Sequence, residues 1–253
     1  MGRLFIKGGR KMSYKVYLSP SMQGANPCKM GDSEKNHANE VADLVEPYLK
    51  ASGIEYKRNK TITDRNKMID DSNAYNPDLH FAIHTNGSNG KVRGHHAYYY
   101  ATSKSGKKIA QILCNNIGKI YHVEGAQNYA IGNKGYAELK KTKSIAVIEE
   151  TVFHDNEQDA EWYHANEAAV ARYIAKSICD YFDIPLVIPI DYKKLYEAQL
   201  EINVELSKSL EHLSHQLDMI MELEQETHRC YQEIFEMKAN EKNAEAEESE
   251  TNK

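Results

Sequence analysis

No run of apolar residues in this 253-residue chain approaches the roughly 20 that a membrane-crossing helix requires, so no span is expected. Basic charge is not in excess either. The net charge is −5 and the pI is near 6.1, whereas nucleic-acid binding usually leaves a basic footprint. Cysteine is scarce and scattered: Cys28, Cys114, Cys179 and Cys230 show no CxxC spacing, and two of them fall inside helical patterns. That reads as free thiols in a reducing compartment. The opening MGRLFIKGGRK lacks the apolar core and small-residue cleavage site of a secretory signal, and the regular pattern begins just after Met12, a second candidate start.

What the chain does contain is an alternation of strand-like and helix-like stretches. YKVYL (14–18) reads as a strand that Ser19-Pro20 ends, because proline cannot donate to a ladder. From Ser33 the spacing turns helical through Val41, Val45, Tyr48 and Leu49, with Gly53 closing it and Pro47 expected to kink or divide it. Residues 54–57 read as a second strand, and 64–73 as a helix capped by Asp64. HHAYYY is a further strand, and the helix after it, with Ile109, Ile112, Leu113, Ile117 and Ile120 on one face, takes Ser103 or Ser105 as its cap. Residues 121–144 have little periodicity and read as a long loop beside the site. SIAVIEE is a last apolar strand, and a helix from about 159 to 183 completes the domain. Strands alternating with helices predict an α/β fold: a mostly parallel sheet covered by helices on both faces.

The stretch that carries chemistry is DLHFAIHTNGSNG (78–90). Period two puts His80, Ala82 and His84 on one face and Leu79, Phe81 and Ile83 on the other. So apolar a strand belongs in the middle of the sheet, with His84 at its carboxyl end, where open α/β sheets place ligands. A histidine there serves equally as a metal ligand or as a strand cap bonded to a loop carbonyl. Glu34 and His37 form an E-x-x-H step on one helical face, a spacing that holds metal from adjacent turns and is also ordinary in an exposed first turn. Glu149 and Glu150 end their strand facing opposite ways, so one alone shares a face with His84.

The series GDSE opening a helix, then DLHFAIHTN, then SIAVIEETVFHDNEQDA resembles the type-3 zinc-dependent N-acetylmuramoyl-L-alanine amidases, peptidoglycan hydrolases of bacteria and phage lysins. The likeness covers about residues 14–183. It implies zinc on Glu34 and His84, Glu150 as the catalytic carboxylate, Asn86 of the I-H-x-N phrase as a substrate-binding residue, and Asn156 as the asparagine that follows the last strand. The expected reaction is cleavage of the amide between muramic acid and L-alanine by a metal-activated water, with cell-wall peptidoglycan as partner. The family also carries a histidine just after the first strand. Here SPSMQGAN stands instead, and no histidine lies between residues 14 and 36. Gln23 lining the site, or His37 supplying the nitrogen, are the two candidate replacements. A metal-poor, wall-binding module without catalysis is the alternative function.

Past Pro185 and Pro189 the character changes. Residues 193–238 contain neither glycine nor proline, and Leu206, Leu210, Leu213 and Leu217 follow alternating four- and three-residue steps. Such a stripe requires a partner, either a second copy of the helix in a homo-oligomer or the helix's own domain on folding back, and the homo-oligomer is the expectation. The domain plan is therefore an N-terminal extension (1–13), an amidase-like domain (14–184), a linker (185–192), a long coiled-coil-like helix (193–240) and an acidic disordered tail (241–253). The expected route to the wall, with no export signal recognised, is release through a phage-type membrane hole.

Overall fold

The computed structural model describes residues 6–7, 10–11, 13–29, 31–190 and 192–251, and the side chains of 13–29, 31–190 and 196–238. Most of the expected N-terminal extension, Met12 included, lies outside the described residues. Within it, β1 (Ile6–Lys7) and β2 (Arg10–Lys11) form a short antiparallel pair. The backbone separates into two compact units, residues 1–189 and 190–253.

In the first unit, β3 (Lys15–Pro20), β4 (Glu55–Arg58), β5 (Leu79–Asn86), β6 (Gly94–Tyr100), β7 (Gln127–Asn133) and β8 (Ile145–Phe153) form one sheet in the order β4-β3-β5-β8-β6-β7. The first four in that order are parallel, and β6 and β7 run together against them. The sheet is thus mostly parallel, and β5 is interior, between β3 and β8. Its Leu79, Phe81 and Ile83 are fully buried, each contributing roughly 1.5–3 kcal/mol through burial.

Proline does not end β3 where expected. The strand runs on to Pro20, and Ser21 N donates to Ile83 O at 2.9 Å. Because alternate residues face alternate neighbours, the missing Pro20 N–H falls on the β4 side, where β4 has already ended at the Leu18–Arg58 pair. Asn59 Nδ2 satisfies the Pro20 carbonyl at 3.2 Å.

Five helices cover the sheet: α1 (Glu34–Ala51), α2 (Arg65–Tyr75), α3 (Lys104–Ile117), α4 (Ala137–Lys141) and α5 (Glu157–Tyr181). The main core joins one sheet face to α1, α3 and α5 through Val41, Val45, Leu113, Ile174 and Ile178. Met68 and Ile69 of α2 pack on Tyr17, and Leu139 of α4 packs on Ala82, Ala146 and Ile148. The caps follow from side chains: Ser33, Asp64, Ser103 and Asn156 accept from backbone N–H groups of the first turns. Gly53, at φ +77°, ends α1 in the left-handed region. Pro47 does not divide α1, which continues to Ala51. A proline there removes a single helical donor, and buried Val45 and Leu49 hold the turns on either side.

Residues 121–144 are not a long loop. They contain β7 and α4, the strand as a two-sidedly half-exposed edge and the helix too short to show a period. Residues 184–190 have no regular structure.

The second unit is one helix, α6 (Tyr192–Thr251). It continues past the expected boundary at 240, since KANEKNAEAEESET holds no glycine or proline and is rich in Ala, Glu and Lys. Between 196 and 238 every side chain is exposed, the leucine stripe included. All four cysteines are free thiols.

Candidate active site

The parallel register places His84 of β5 beside Glu150 of β8. Pairing side chains point to the same face of a sheet, so both head for the cleft at the carboxyl edge. That cleft, of about 390 Å³, is lined by His84, Glu138, Glu150, Ile148, Tyr136, Met22, Gln23 and Arg65, among others.

Glu34, first residue of α1, meets His84 from the opposite side: its Oε1 is 2.8 Å from His84 Nδ1. Asn26 Nδ2 donates to Glu34 Oε2 at 2.9 Å and to Gln23 Oε1 at 3.0 Å. Burial works against the Glu34 carboxylate, but hydrogen bonds from His84, Asn26 and Ser21 outweigh it and hold its pKa below the usual value. For His84, burial disfavours the charge, yet the bond to Glu34 and the nearby carboxylates of Glu150 and Glu138 lift its pKa to about 9.

Glu138 of α4 is the residue that periodicity missed. Its Oε2 accepts from His80 Nε2 at 2.9 Å and from Ser19 Oγ at 3.2 Å, while its Oε1 stands 4.0 Å from His84 Nε2. His80 is anchored in turn by Ser72 Oγ, 2.9 Å from Nδ1. Burial raises the Glu138 pKa less than His80 and His84 lower it, so the group stays ionised. The only hint in the sequence is the pair of histidines on one strand face, which calls for a common acid without saying where it comes from.

Glu150 has the contrasting environment. Burial pushes its pKa up to about 7; His84 pulls it down, and Glu34 and Glu138 push it up. Its Oε2 is buried without a hydrogen-bond partner. Glu149 faces the other way, as strand alternation requires. It is fully buried, accepts from Thr151 Oγ1 at 2.6 Å and lies 3.6 Å from His95 Nε2.

The remaining sequence candidates separate. Gln23 is on the cleft rim, its amide oxygen tied to Asn26. His37 is not brought to His84: its Nδ1 faces Glu167 of α5 at 3.3 Å and Glu40 at 3.5 Å. Asn86 bonds His96 Nδ1 at 3.1 Å and its own loop, through Gly87 N, at 3.0 Å. Asn156 caps α5 and donates to Gly90 O at 2.9 Å, a structural duty. Of the tyrosines, Tyr99 joins the main core, whereas Tyr98 packs edge-on against Tyr136 of the cleft wall, 5.1 Å between centroids.

The sequence profile described as N-acetylmuramoyl-L-alanine amidase matches residues 16–180, well over half of the chain. The chain belongs to this amidase family. Its activity is accordingly that of a peptidoglycan amidase. Solved structures with the same fold include the AmiC2 amidase of Nostoc punctiforme, at TM-score 0.59 and 19% identity over 67% of this chain and 97% of that one. The catalytic domain of the CwlV amidase from Bacillus (Paenibacillus) polymyxa gives 0.59 and 18% over 68% and 99%. The catalytic domain of the CD27L endolysin, described as targeting Clostridia difficile, gives 0.55 and 21% over 66% and 97%. At these identities the likeness is one of fold. A search of curated proteins found no match. In this amidase the family's first strand ends in SPSMQ rather than in a histidine phrase, and the α6 segment lies outside the matched residues.

Proposed function

We propose that the amidase uses Glu150 as its general base and acid, with a zinc ion held by Glu34 and His84. The single observation that carries this reading is the buried, unpartnered Glu150 Oε2 on the same sheet face as His84. The donor types suit the ion, since zinc accepts imidazole nitrogen and carboxylate oxygen, and three carboxylates around one imidazole leave a surplus of negative charge for a cation. When bound, zinc polarises the scissile carbonyl and lowers the pKa of its water toward ~7.

The rest is done by the chain. Glu150, with a pKa near neutral, takes a proton from the attacking water at its carboxylate and returns it to the leaving amine. Glu138, 4.0 Å from the other nitrogen of the His84 ring, sets a fixed negative charge beside the imidazole, the kind of carboxylate neighbour that tunes a metal-binding histidine. Arg65 is the cationic side chain on the rim and is placed to receive an acidic group of the stem peptide. With no histidine at SPSMQ, the ion has fewer strong protein donors than the usual three, and a loosely held zinc follows. His84, Glu34 and Glu150 together weigh against a wall-binding module without catalysis. We also propose that α6 pairs with a second copy, setting more than one catalytic unit on a polymeric wall and raising retention by multivalency.

The test is turbidity loss of purified cell walls. Glu150→Gln keeps the shape and removes the proton shuttle, and the rate falls ~10²–10⁴-fold. Equal rates for variant and parent reject the assignment.

A further inference from the structure

The tetrapeptide His-Ala-Asn-Glu occurs twice, as residues 37–40 and 164–167. The first copy lies on α1 and the second on α5, helices that share the main core. A three-residue step puts the histidine and glutamate of each copy on one helix face, and the two faces meet. His37 Nδ1 is 3.3 Å from Glu167 Oε1 and 3.5 Å from Glu40 Oε2, and His164 Nδ1 is 3.9 Å from Glu167 Oε1. Ligand atoms of His37, Glu40 and Glu167 all lie within 4.8 Å of one another.

We propose that these two steps form a second divalent-cation site, separate from the cleft, with zinc-type metals as its preferred occupants. Three arguments carry it. The separations are close to the ~3.3 Å between neighbouring donors of a tetrahedral ion with bonds of ~2.0–2.1 Å. The His37 imidazole and two carboxylates, with His164 beside Glu167 as a fourth donor, make a set that balances a dication and selects a borderline metal over calcium or magnesium. The site is also partly built: the His37 side chain is 6% exposed, its ring is held edge-on against Tyr163, and its Nδ1 is turned to the Glu40 and Glu167 carboxylates. His37 is thus a fixed ligand on which the more exposed Glu40 and His164 close. The bound ion clamps α1 to α5, joining the helix that begins with Glu34 to the one that follows β8. This assignment does not depend on the metal proposed for the cleft.

The experiment uses the full chain, stripped with chelator, equilibrated with zinc at pH 7.5 and desalted. The variant Glu40→Gln/His164→Ala changes two exposed side chains, 58% and 72%, and so spares the core. It is expected to hold about one zinc per chain fewer than the parent, to bind zinc at least ten-fold more weakly at that site, and to lose the rise in melting temperature that zinc gives the parent. The comparison repeated in a Glu34→Gln/His84→Ala background, which empties the cleft, gives the same loss. It also cancels any zinc taken up by the exposed histidines of α6. Equal zinc content and equal zinc-dependent melting in parent and variant overturn the proposal.

Discussion

His84 and Glu138 approach each other from different layers of the molecule, the imidazole from the end of an interior strand and the carboxylate from a five-residue helix laid on the sheet face, to 4.0 Å between Nε2 and Oε1. Glu138→Gln leaves the size of the side chain unchanged and removes the negative charge facing the ring. The expected outcome is a fall in wall hydrolysis of roughly 10–100-fold, the usual cost of losing a carboxylate partner behind a metal-binding histidine, together with weaker zinc retention. Zinc content measured beside activity checks it. A variant with full activity and unchanged zinc shows that the carboxylate serves only to bind His80.

His84→Ala is expected to lose activity and the cleft-bound zinc together, because the described cleft contains no second imidazole. Elemental analysis in a Glu40→Gln/His164→Ala background reads the cleft alone. Stoichiometric zinc remaining in that chain contradicts the ligand assignment.

Glu149 ties stability to pH. Burial raises its pKa from the ordinary 4.5 to about 8. Below the lower value both folded and unfolded chains carry the proton. Between the two the unfolded chain loses it while the folded chain keeps it, so the folded state binds more protons and stability falls as pH rises. Glu149→Gln removes this slope. Melting temperatures of variant and parent should lie nearest each other at the acid end and separate in the variant's favour toward the alkaline end. Parallel curves across that window reject the idea.

Asp159 is fully buried and gathers four donors, from Arg93 Nε at 2.9 Å, Gly94 N and Phe153 N at 3.0 Å each, and the Tyr121 hydroxyl. Removing one member of a buried charge network strands the rest, typically at a cost of about 3–5 kcal/mol. Asp159→Ala should lower stability by that order in denaturant titration, and a change under 1 kcal/mol, about the worth of an ordinary exposed pair, argues against the network.

The α6 stripe gives the last expectation. Leu206, Leu210, Leu213 and Leu217 are each more than half exposed in the single chain, and leaving them in water forgoes roughly 1.5–3 kcal/mol per side chain. Light scattering should find the full chain associated at micromolar concentration and a chain ending at Pro189 monomeric. A full-length monomer rules out pairing.

The strands other than β7 and the long helices were legible in the sequence because each satisfies one period over enough residues. Leu79, Phe81 and Ile83 against His80, Ala82 and His84 define both faces of β5, Asp64 announces its helix by capping, and of the two serines offered for α3 it is Ser103 that caps. The two groups in contact at the site, Glu34 and His84, were legible from a resemblance that spans fifty residues of separation. What was not legible has separate physical causes. Pro20 inside β3 depends on where β4 stops, the helical course of residues 241–251 depends on the absence of breakers outweighing polarity, and Glu138 sits on a helix shorter than two turns. The first is decided by a strand distant along the chain, the second by a balance of local tendencies, and the third by a segment too short to show a period.

The reversal of β6 and β7 against the other strands has one further consequence. Gly94, at φ +126°, starts β6 so close to the Gln127 backbone that a Cβ would fall 2.0 Å from its carbonyl oxygen, so the reversed pair is pinned at its first residue. The chain leaves β7 at the edge of the sheet remote from the cleft and returns across the face through Lys134, Gly135 and Tyr136 to bring in Ala137 and Glu138. Tyr136, Ala137 and Glu138 of the cleft lining are therefore brought by this return, whereas His84, Ile148 and Glu150 come from strands. Substitutions in 134–137 can reshape which wall fragments are admitted while the strands holding His84 and Glu150 stay as they are, so selectivity and chemistry are free to change independently.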